Sequence, residues 1–133
     1  MGTAVTPADG RRQPRGGRGN FELYAWVFMR VSGVLLVLLV LSHFAIMHVF
    51  GRGLDRIDFA FVSGRWANPF WRVYDFALLT LAVVHGGNGL RVIIDDYARS
   101  GTRRLLYQSL NATVVGLTWA LGSLTIFAFT PRP

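Results

Sequence analysis

The sequence predicts an all-α integral membrane protein with three transmembrane helices. Three observations support this fold class: 52% of the 133 residues are hydrophobic, the mean hydropathy is +0.38, and long segments of the chain carry no charge. An ordinary soluble domain is less apolar than this and has no uncharged run of about 20 residues. We therefore expect most of the chain to lie within a lipid bilayer.

The first transmembrane helix is predicted at about residues 24–50. Residues 31–50 contain no charged side chain, and about 20 residues at about 1.5 Å each match a hydrocarbon core of about 30 Å. Residues 1–20 are rich in Gly, Pro and Arg and show no apolar periodicity, which predicts a disordered basic tail before a membrane anchor at residues 21–133. No small-residue cleavage site follows the first apolar run, so we expect this helix to remain in the mature protein.

The second helix is predicted at residues 69–97, after an interfacial loop. Residues 51–68 mix Gly, Asp and Arg with aromatic residues, which favours a loop that holds a short amphipathic helix. Proline is common at the first position of a helix, and Pro69 follows Asn68 here. Only residues 76–90 of this segment are uncharged. Its polar ends are therefore expected at the two membrane surfaces.

The third helix is predicted at about residues 105–130, where no side chain carries a formal charge and Pro131 follows. Arginine positions then predict the topology, because positive charge is enriched on the cytoplasmic side. Nine arginines fall on the side of the N-terminus: Arg11, Arg12, Arg15, Arg18, Arg30, Arg91, Arg99, Arg103 and Arg104. Five fall on the other: Arg52, Arg56, Arg65, Arg72 and Arg132. The N-terminus is therefore predicted in the cytoplasm and the C-terminus outside.

The remaining composition excludes several classes of function. The net charge of +7 comes from arginines at the ends of apolar runs and no nucleic-acid-binding motif accompanies them, so we expect no nucleic-acid partner. There is no cysteine, which excludes disulfides, thiolate metal sites and cysteine-held iron–sulfur clusters. Any metal chemistry would use His43, His48 or His85.

His85 is the most informative polar residue, because it lies well inside the second helix beside three glycines. Gly86, Gly87 and Gly89 leave space where a large flat ring could approach, and histidine is a common axial ligand of haem iron. Alternatively, the glycines pack a neighbouring helix and His85 hydrogen-bonds a backbone carbonyl. The residues alone favour neither alternative. For His43, cofactor ligation and interhelical hydrogen bonding are equally open, whereas His48 is expected at the outer interface.

Two polar stripes have the same spacing. Asp96 follows His85 by eleven residues and His43 follows Ser32 by eleven, and eleven residues return to within about 20° of the same helix face. Each stripe spans about 16 Å, half of the hydrocarbon thickness. We expect both to run side by side from the cytoplasmic rim to the membrane middle, as a path for charge to a cofactor.

Polar groups at the cytoplasmic rim have two interpretations. Arg30 and Arg91 could extend to lipid phosphates, or they could neutralise haem propionates or polarise a quinone oxygen. Asp96 and Tyr97 offer an adjacent acceptor and donor for such a ligand, although Tyr97 could also be an interfacial aromatic residue.

These residues carry a resemblance to a known family. The segment from His85 to Arg91, HGGNGLR, followed by VIIDDY ending at Tyr97, resembles the second-helix signature of the small membrane anchors of succinate dehydrogenase, respiratory complex II. The similarity to actinobacterial-type D subunits extends over helices one and two and their loop, including residues 64–71, GRWANPFW. Residues 30–33, RVSG, resemble the opening of helix one in the partner C subunit. We prefer the D type because of Asp96 and Tyr97.

The resemblance implies a set of roles. His85 would be an axial ligand of haem b, and His43 would serve a second haem in anchors of the two-haem type. Helix geometry adds Gly89, on nearly the same face as His85, and Arg91 as candidates for haem contact. Tyr97 and Asp96 would lie at the quinone site. Arg30 and Ser32 would border the same quinone.

The resemblance also implies partners and a location. The chain would be half of a heterodimeric, haem-binding helical bundle in the bacterial cytoplasmic membrane, paired with a C-type anchor and docking an iron–sulfur subunit and a flavoprotein subunit. It would not be catalytic alone. Two other functions stay open on sequence grounds: a non-redox membrane scaffold or assembly subunit, and a cytochrome b-like subunit of another quinone enzyme.

Overall fold

The computed structural model describes residues 18–50, 55 and 57–129. This part of the chain forms four α-helices, with a π-helical segment, Ala45–Val49, after the first: α1 Arg18–Phe44, α2 Phe59–Ala67, α3 Pro69–Tyr97 and α4 Gly101–Ala128. Three helical segments within it are long and apolar enough to cross a membrane: Asn20–Val49, Pro69–Tyr97 and Gly101–Ala128. The predicted all-α class with three transmembrane helices is confirmed.

The helix bounds differ from the predicted ones at two N-terminal ends. α1 begins at Arg18 and not at about residue 24, because no helix-breaking residue interrupts the aromatic segment before residue 31. α4 begins at Gly101, four residues before its predicted start, since the Ser100 hydroxyl accepts a bond from the Arg103 amide (3.3 Å) and caps the helix there. The predicted tail up to residue 17 lies outside the described residues.

The loop between the first two long helices holds the short helix α2, as its composition suggested. The Asp58 carboxylate accepts a hydrogen bond from the Phe61 amide (2.7 Å) and caps the start of α2. One residue separates α2 from α3, and this residue, Asn68, accepts a bond from the Phe70 amide (2.9 Å). With Pro69 at its first position, α3 therefore begins where the sequence predicted.

The long helices lie side by side, with α3 between α1 and α4 and antiparallel to both. Glu22 of α1 meets Arg91 at one end of α3, and His43 meets Asp75 at the other. We call these the Tyr97 end and the Asp75 end. Two broad faces of this row stay open, and most of its large apolar side chains are exposed. Such a surface suits lipid and partner helices rather than water.

Small residues allow α3 and α4 to approach closely. A methyl group added at Gly87 would lie 2.5 Å from Val115 Cγ2, and one added at Gly122 would lie 2.6 Å from Leu79 Cδ2. Interfaces between membrane helices commonly use small residues in this way, because lipid offers no hydrophobic drive for association.

A polar cluster joins three helices at the Asp75 end. Asp75 accepts bonds from the Arg65 guanidinium (2.7 Å) and the Trp66 indole (2.8 Å), both on α2. Arg72 of α3 donates to the Trp66 carbonyl (2.6 Å) and to the Phe129 carbonyl (2.9 Å), which follows α4. Only 5% of the Arg65 side chain is exposed, so this ion pair fixes α2 against α3 in a largely desolvated position.

Candidate functional site

The centre of the candidate site is a contact between α1 and α3. Ser32 Oγ lies 2.8 Å from His85 Nδ1, near the middle of both helices. Ser32 is only 1% exposed, the most deeply buried side chain of the described residues. The Ser32 side of the contact is therefore enclosed between the two helices, while His85 is half-buried.

This contact fixes the tautomer of His85. The Ser32 hydroxyl has one proton, which it donates to the Phe28 carbonyl (2.6 Å). The ring nitrogen Nδ1 must then carry hydrogen and donate it to Ser32 Oγ, an assignment that follows from the bond network. Nε2 is then the ring nitrogen left for another ligand, and it has no hydrogen-bond partner among the described residues. A neutral imidazole held in this way is the usual metal-ligating form of histidine.

The glycines around His85 serve two purposes. Gly87 faces Val115 of α4, and a side chain at Gly89 would contact Met29 of α1, so these two residues allow helix packing. Gly86 is exposed, and nothing lies within 4 Å of the position of an added methyl group. The packing interpretation therefore holds for Gly87 and Gly89, whereas Gly86 faces open space and Gly33 of α1 is the glycine that faces the His85 ring, with an added methyl group 3.5 Å from His85 Cε1.

The depth of Ser32 corrects the expectation of two parallel stripes. Because α1 starts earlier than predicted, Ser32 lies at the level of His85 and not at that of Asp96. From this shared level the two stripes run in opposite directions, toward His43 at the Asp75 end and toward Asp96 at the Tyr97 end. The expectation that they run side by side from one rim is wrong. Ser32 and Asp96 are about 16 Å apart along the helix axis.

Arg30 and Arg91 line one cleft of about 300 Å³ between α1 and α3, on the Tyr97 side of His85. The Arg91 guanidinium donates to Asn88 (3.2 Å) and to Glu22 (3.3 and 3.4 Å), so its charge is partly neutralised. Arg30 stacks on the Trp26 ring, with its guanidinium carbon 3.5 Å from the ring centre. Within the described part of the chain, the Arg30 guanidinium makes no hydrogen bond or ion pair. It is the available cation of the cleft.

Asp96 and Tyr97 lie at the end of α3 and do not line that cleft. Tyr97 is 81% exposed, and neither residue has a hydrogen-bond or ion-pair partner within residues 18–50 and 57–129. The preceding residue, Asp95, instead accepts bonds from Arg104 (2.6 Å) and Gln108 (2.9 Å) and joins α3 to α4. Sequence reasoning missed this role, although the spacing of Asp95 from the basic turn could have indicated it.

His43 lies at the Asp75 end, on the other side of His85 from the arginine cleft. Its Nδ1 is 3.4 Å from Asp75 Oδ1 without forming a hydrogen bond, and its ring stacks with Tyr74 at a centroid separation of 6.4 Å. His48 is exposed and contacts the ring of Phe44 (5.0 Å). The two histidines therefore face different surroundings, as their angular separation predicted.

No group of three or more His, Asp or Glu side chains converges within the described ranges of the chain. A bare metal ion would therefore find no cage of protein ligands there. A cofactor that carries most of its own metal ligands would need only one side chain from this chain, and His85 is a histidine with a free ring nitrogen within the described residues.

Comparison with known proteins decides the family. Residues 11–124 match the model of the family described as "Succinate dehydrogenase/Fumarate reductase transmembrane subunit". The chain belongs to this family. It is therefore a hydrophobic membrane-anchor subunit of a succinate dehydrogenase or fumarate reductase complex, distinct from the catalytic subunit, and it associates with other subunits of that complex.

Two relatives agree with this assignment. The chain is 29% identical to "Succinate dehydrogenase 2 membrane subunit SdhC" of Mycobacterium tuberculosis in an alignment 133 positions long, which covers 97% of this chain and 88% of the relative. It is 38% identical to "Succinate dehydrogenase hydrophobic membrane anchor subunit" of Archaeoglobus fulgidus over 84 residues, 62% of this chain and 68% of the relative. The resemblance found in the sequence is confirmed at the level of the anchor family, whereas the first relative bears a C-type name.

Proposed function

We propose that this anchor binds haem b through His85 Nε2 and contributes to quinone reduction in a succinate:quinone oxidoreductase. The observation that carries the proposal is the bond between His85 and Ser32. It holds the imidazole in one tautomer and leaves the other nitrogen free to bind iron. The adjacent cleft of about 300 Å³, which two arginines line, suits the acidic side arms of a flat macrocycle.

Each residue near His85 has a role in this proposal. Ser32 positions the ring and does not contact quinone, since its hydroxyl is already bonded on both sides. Arg30 and Arg91 neutralise the propionates, with Arg30 contributing the unpaired charge. When bound, haem supplies one-electron redox chemistry, and its potential depends on the axial ligand and on the hydrogen bond behind that ligand. The open faces of the helix row indicate that a second anchor subunit completes the pocket.

A second haem on His43 is a further part of the proposal. Asp75 Oδ1 lies 3.4 Å from His43 Nδ1, and a small rotation of the ring would bring the two atoms into a hydrogen bond that orients the imidazole. The two histidines are separated by about 16 Å along α1, which leaves room for one macrocycle at each level. Loss of half of the haem from the His43→Ala complex would support this arrangement. Full haem content in that variant would exclude it.

For quinone we propose a site at the Tyr97 end, where the Tyr97 hydroxyl donates a hydrogen bond to a quinone carbonyl and Asp96 orients it or relays a proton. Both side chains are exposed and unpaired within the described residues, so they are available to a ligand or to a partner subunit. Arg30 lies about 13 Å from Asp96 along the helix axis. We therefore place Arg30 with the haem and not with this quinone.

Replacing Tyr97 by Phe tests the quinone assignment. The Tyr97→Phe complex should lose about 10²-fold in quinone-reductase turnover, in the range expected for removal of a positioned proton donor. Succinate oxidation with an artificial dye should be unchanged, because the soluble subunits are untouched. Tyr24→Phe is the matched control, since Tyr24 is also exposed at this end of the structure. Equal turnover in the two variants would refute the role of Tyr97.

The partners and orientation follow from the family and the arginine pattern. We infer an iron–sulfur subunit and a flavoprotein subunit docked on the cytoplasmic face at the Tyr97 end, with the N-terminus inside. We also infer the D type from Asp96 and Tyr97, although the RVSG segment of α1 and the name of the M. tuberculosis relative favour the C type. A second anchor that co-purifies and lacks the Asp-Tyr pair would support the D type; a second anchor that carries the pair would contradict it.

An optical spectrum of the purified complex tests haem ligation. The reduced-minus-oxidised difference should show a b-type signal that His85→Ala abolishes or halves. His48→Ala should leave it intact, because His48 is exposed at the end of the π-helical segment and has no proposed ligand. A b-type signal that is equally strong in both variants would overturn the assignment of His85.

A further inference from the structure

A second cleft opens between α3 and α4, on the opposite edge of α3 from His85. It measures about 300 Å³, and its walls are almost entirely apolar. Its lining residues are Leu90, Ile94, Tyr107, Leu110, Asn111 and Val114. At its floor, the Asn111 amide donates to the Gly87 carbonyl (2.9 Å), so this polar side chain is held against α3.

Unpaired positive charge lies at the mouth of this cleft. Arg103 precedes Tyr107 by four residues and so lies on the same face of α4, one turn nearer to the membrane surface. Arg99 lies in the turn just before α4. Both arginines are exposed, and neither side chain makes a hydrogen bond or ion pair with any described residue. By contrast, Arg104 is bonded to Asp95 (2.6 Å).

The negative charges nearby do not cancel this patch. Asp95 is already bonded to Arg104 and Gln108. Asp96 follows Ile94 by two residues, which places it on nearly the opposite side of α3 from the cleft. Arg103 therefore lies one turn beyond the apolar cleft, Arg99 lies in the turn at the same end of α4, and neither guanidinium is paired with a described residue.

We propose that this cleft binds one anionic phospholipid, with an acyl chain between α3 and α4 and the phosphate at Arg99 and Arg103. Guanidinium groups recognise phosphate through paired hydrogen bonds, and basic pockets between membrane helices attract acidic headgroups. A partner helix is a poorer occupant. Packed membrane helices meet through small residues, whereas the walls here are formed by branched and aromatic side chains, and a close helix would leave both arginines unpaired.

The experiment measures phospholipid retained by the intact complex after extensive detergent washing, by native mass spectrometry and by lipid extraction. The wild-type complex should keep phosphatidylglycerol or cardiolipin. After delipidation it should rebind phosphatidylglycerol in preference to phosphatidylcholine. Leu110→Trp should abolish retention by filling the cleft. Leu117→Trp is the matched control, since it lies two turns along nearly the same face, outside the cleft, and is 58% exposed against 59% for Leu110.

The headgroup contact has its own variants. Arg103→Gln should weaken retention of phosphatidylglycerol about five-fold, because one arginine near a membrane surface contributes about that factor, and Arg103→Lys should restore most of it. Equal retention in the Leu110→Trp and Leu117→Trp complexes would overturn the proposal. Two other results would also overturn the proposal, if the amount of bound phospholipid stayed constant in Leu110→Trp. Release of the second anchor subunit would show that the cleft holds a helix, and release of quinone would show that it holds an isoprenoid tail.

Discussion

Replacing Ser32 by Ala is the most specific test of the site. Ser32 Oγ is the one hydrogen-bond partner of the His85 ring among the described residues, and it lies 2.8 Å from Nδ1 in a position that is 1% exposed. The variant leaves the half-buried N–H of His85 without an acceptor, which destabilises this ring position by about 1–3 kcal/mol. Loss of such a partner behind a metal ligand typically weakens metal binding about 10–100-fold, which corresponds to about 1.4–2.8 kcal/mol. The two estimates agree.

The assay is the transfer of haem from the purified complex to a haem-scavenging apoprotein, which reports relative affinity. Ser123→Ala is the matched control: Ser123 of α4 also donates to the carbonyl four residues before it (Trp119, 2.6 Å), but it contacts no histidine and no ring beside one. We expect haem loss to be favoured about 10–100-fold in Ser32→Ala and to be unchanged in Ser123→Ala. The same affinity in the two variants would refute the claim that Ser32 positions the haem ligand.

Two further predictions concern how the helices are held together. Gly87→Ala should lower the thermal stability of the complex by about 1–3 kcal/mol, because the added methyl group meets Val115 Cγ2 at 2.5 Å. Gly86→Ala should be neutral or slightly stabilising, since that position is open and alanine favours helix by about 1 kcal/mol; the reverse order of melting temperatures would contradict the described packing. Asp75→Asn should destabilise the anchor by about 3–5 kcal/mol, because the Arg65 side chain is 5% exposed and would lose its counter-ion. Denaturation of the purified anchor in detergent measures this, and an unchanged midpoint would show that Arg65 finds another partner.

The sequence predicted the helices well and their contacts poorly. Charge-free runs and the Asn-Pro pair before α3 placed the three spans, because hydropathy and caps act locally. The level at which α1 meets α3 depends on where α1 begins, and the first charge-free run starts well after Arg18, where the helix itself begins. For this reason the sequence predicts Ser32 at the same membrane depth as Asp96, although in the structure Ser32 contacts His85.

The polar partners of Asp75 and Asp95 escaped sequence reasoning for a related reason. The polar ends of the second helix are expected at the membrane surfaces, but α2 folds back so that Arg65 and Trp66 both bond to Asp75 at one of these ends. Asp95 and Asp96 are adjacent residues of the same type, so the sequence does not show which of them bonds to another helix. The position of α4 decides it, because Arg104 and Gln108 of α4 reach Asp95. Contacts between helices depend on the turns that connect them, and those turns carry little periodic signal.

A cryo-electron microscopy map of the assembled complex would test the central claim most directly. The account predicts density for a porphyrin with its iron bound to His85 Nε2, and with Ser32 Oγ within hydrogen-bond distance of Nδ1. A map in which His85 Nε2 faces lipid, or bonds to a side chain of the second anchor with no porphyrin beside it, would contradict the account.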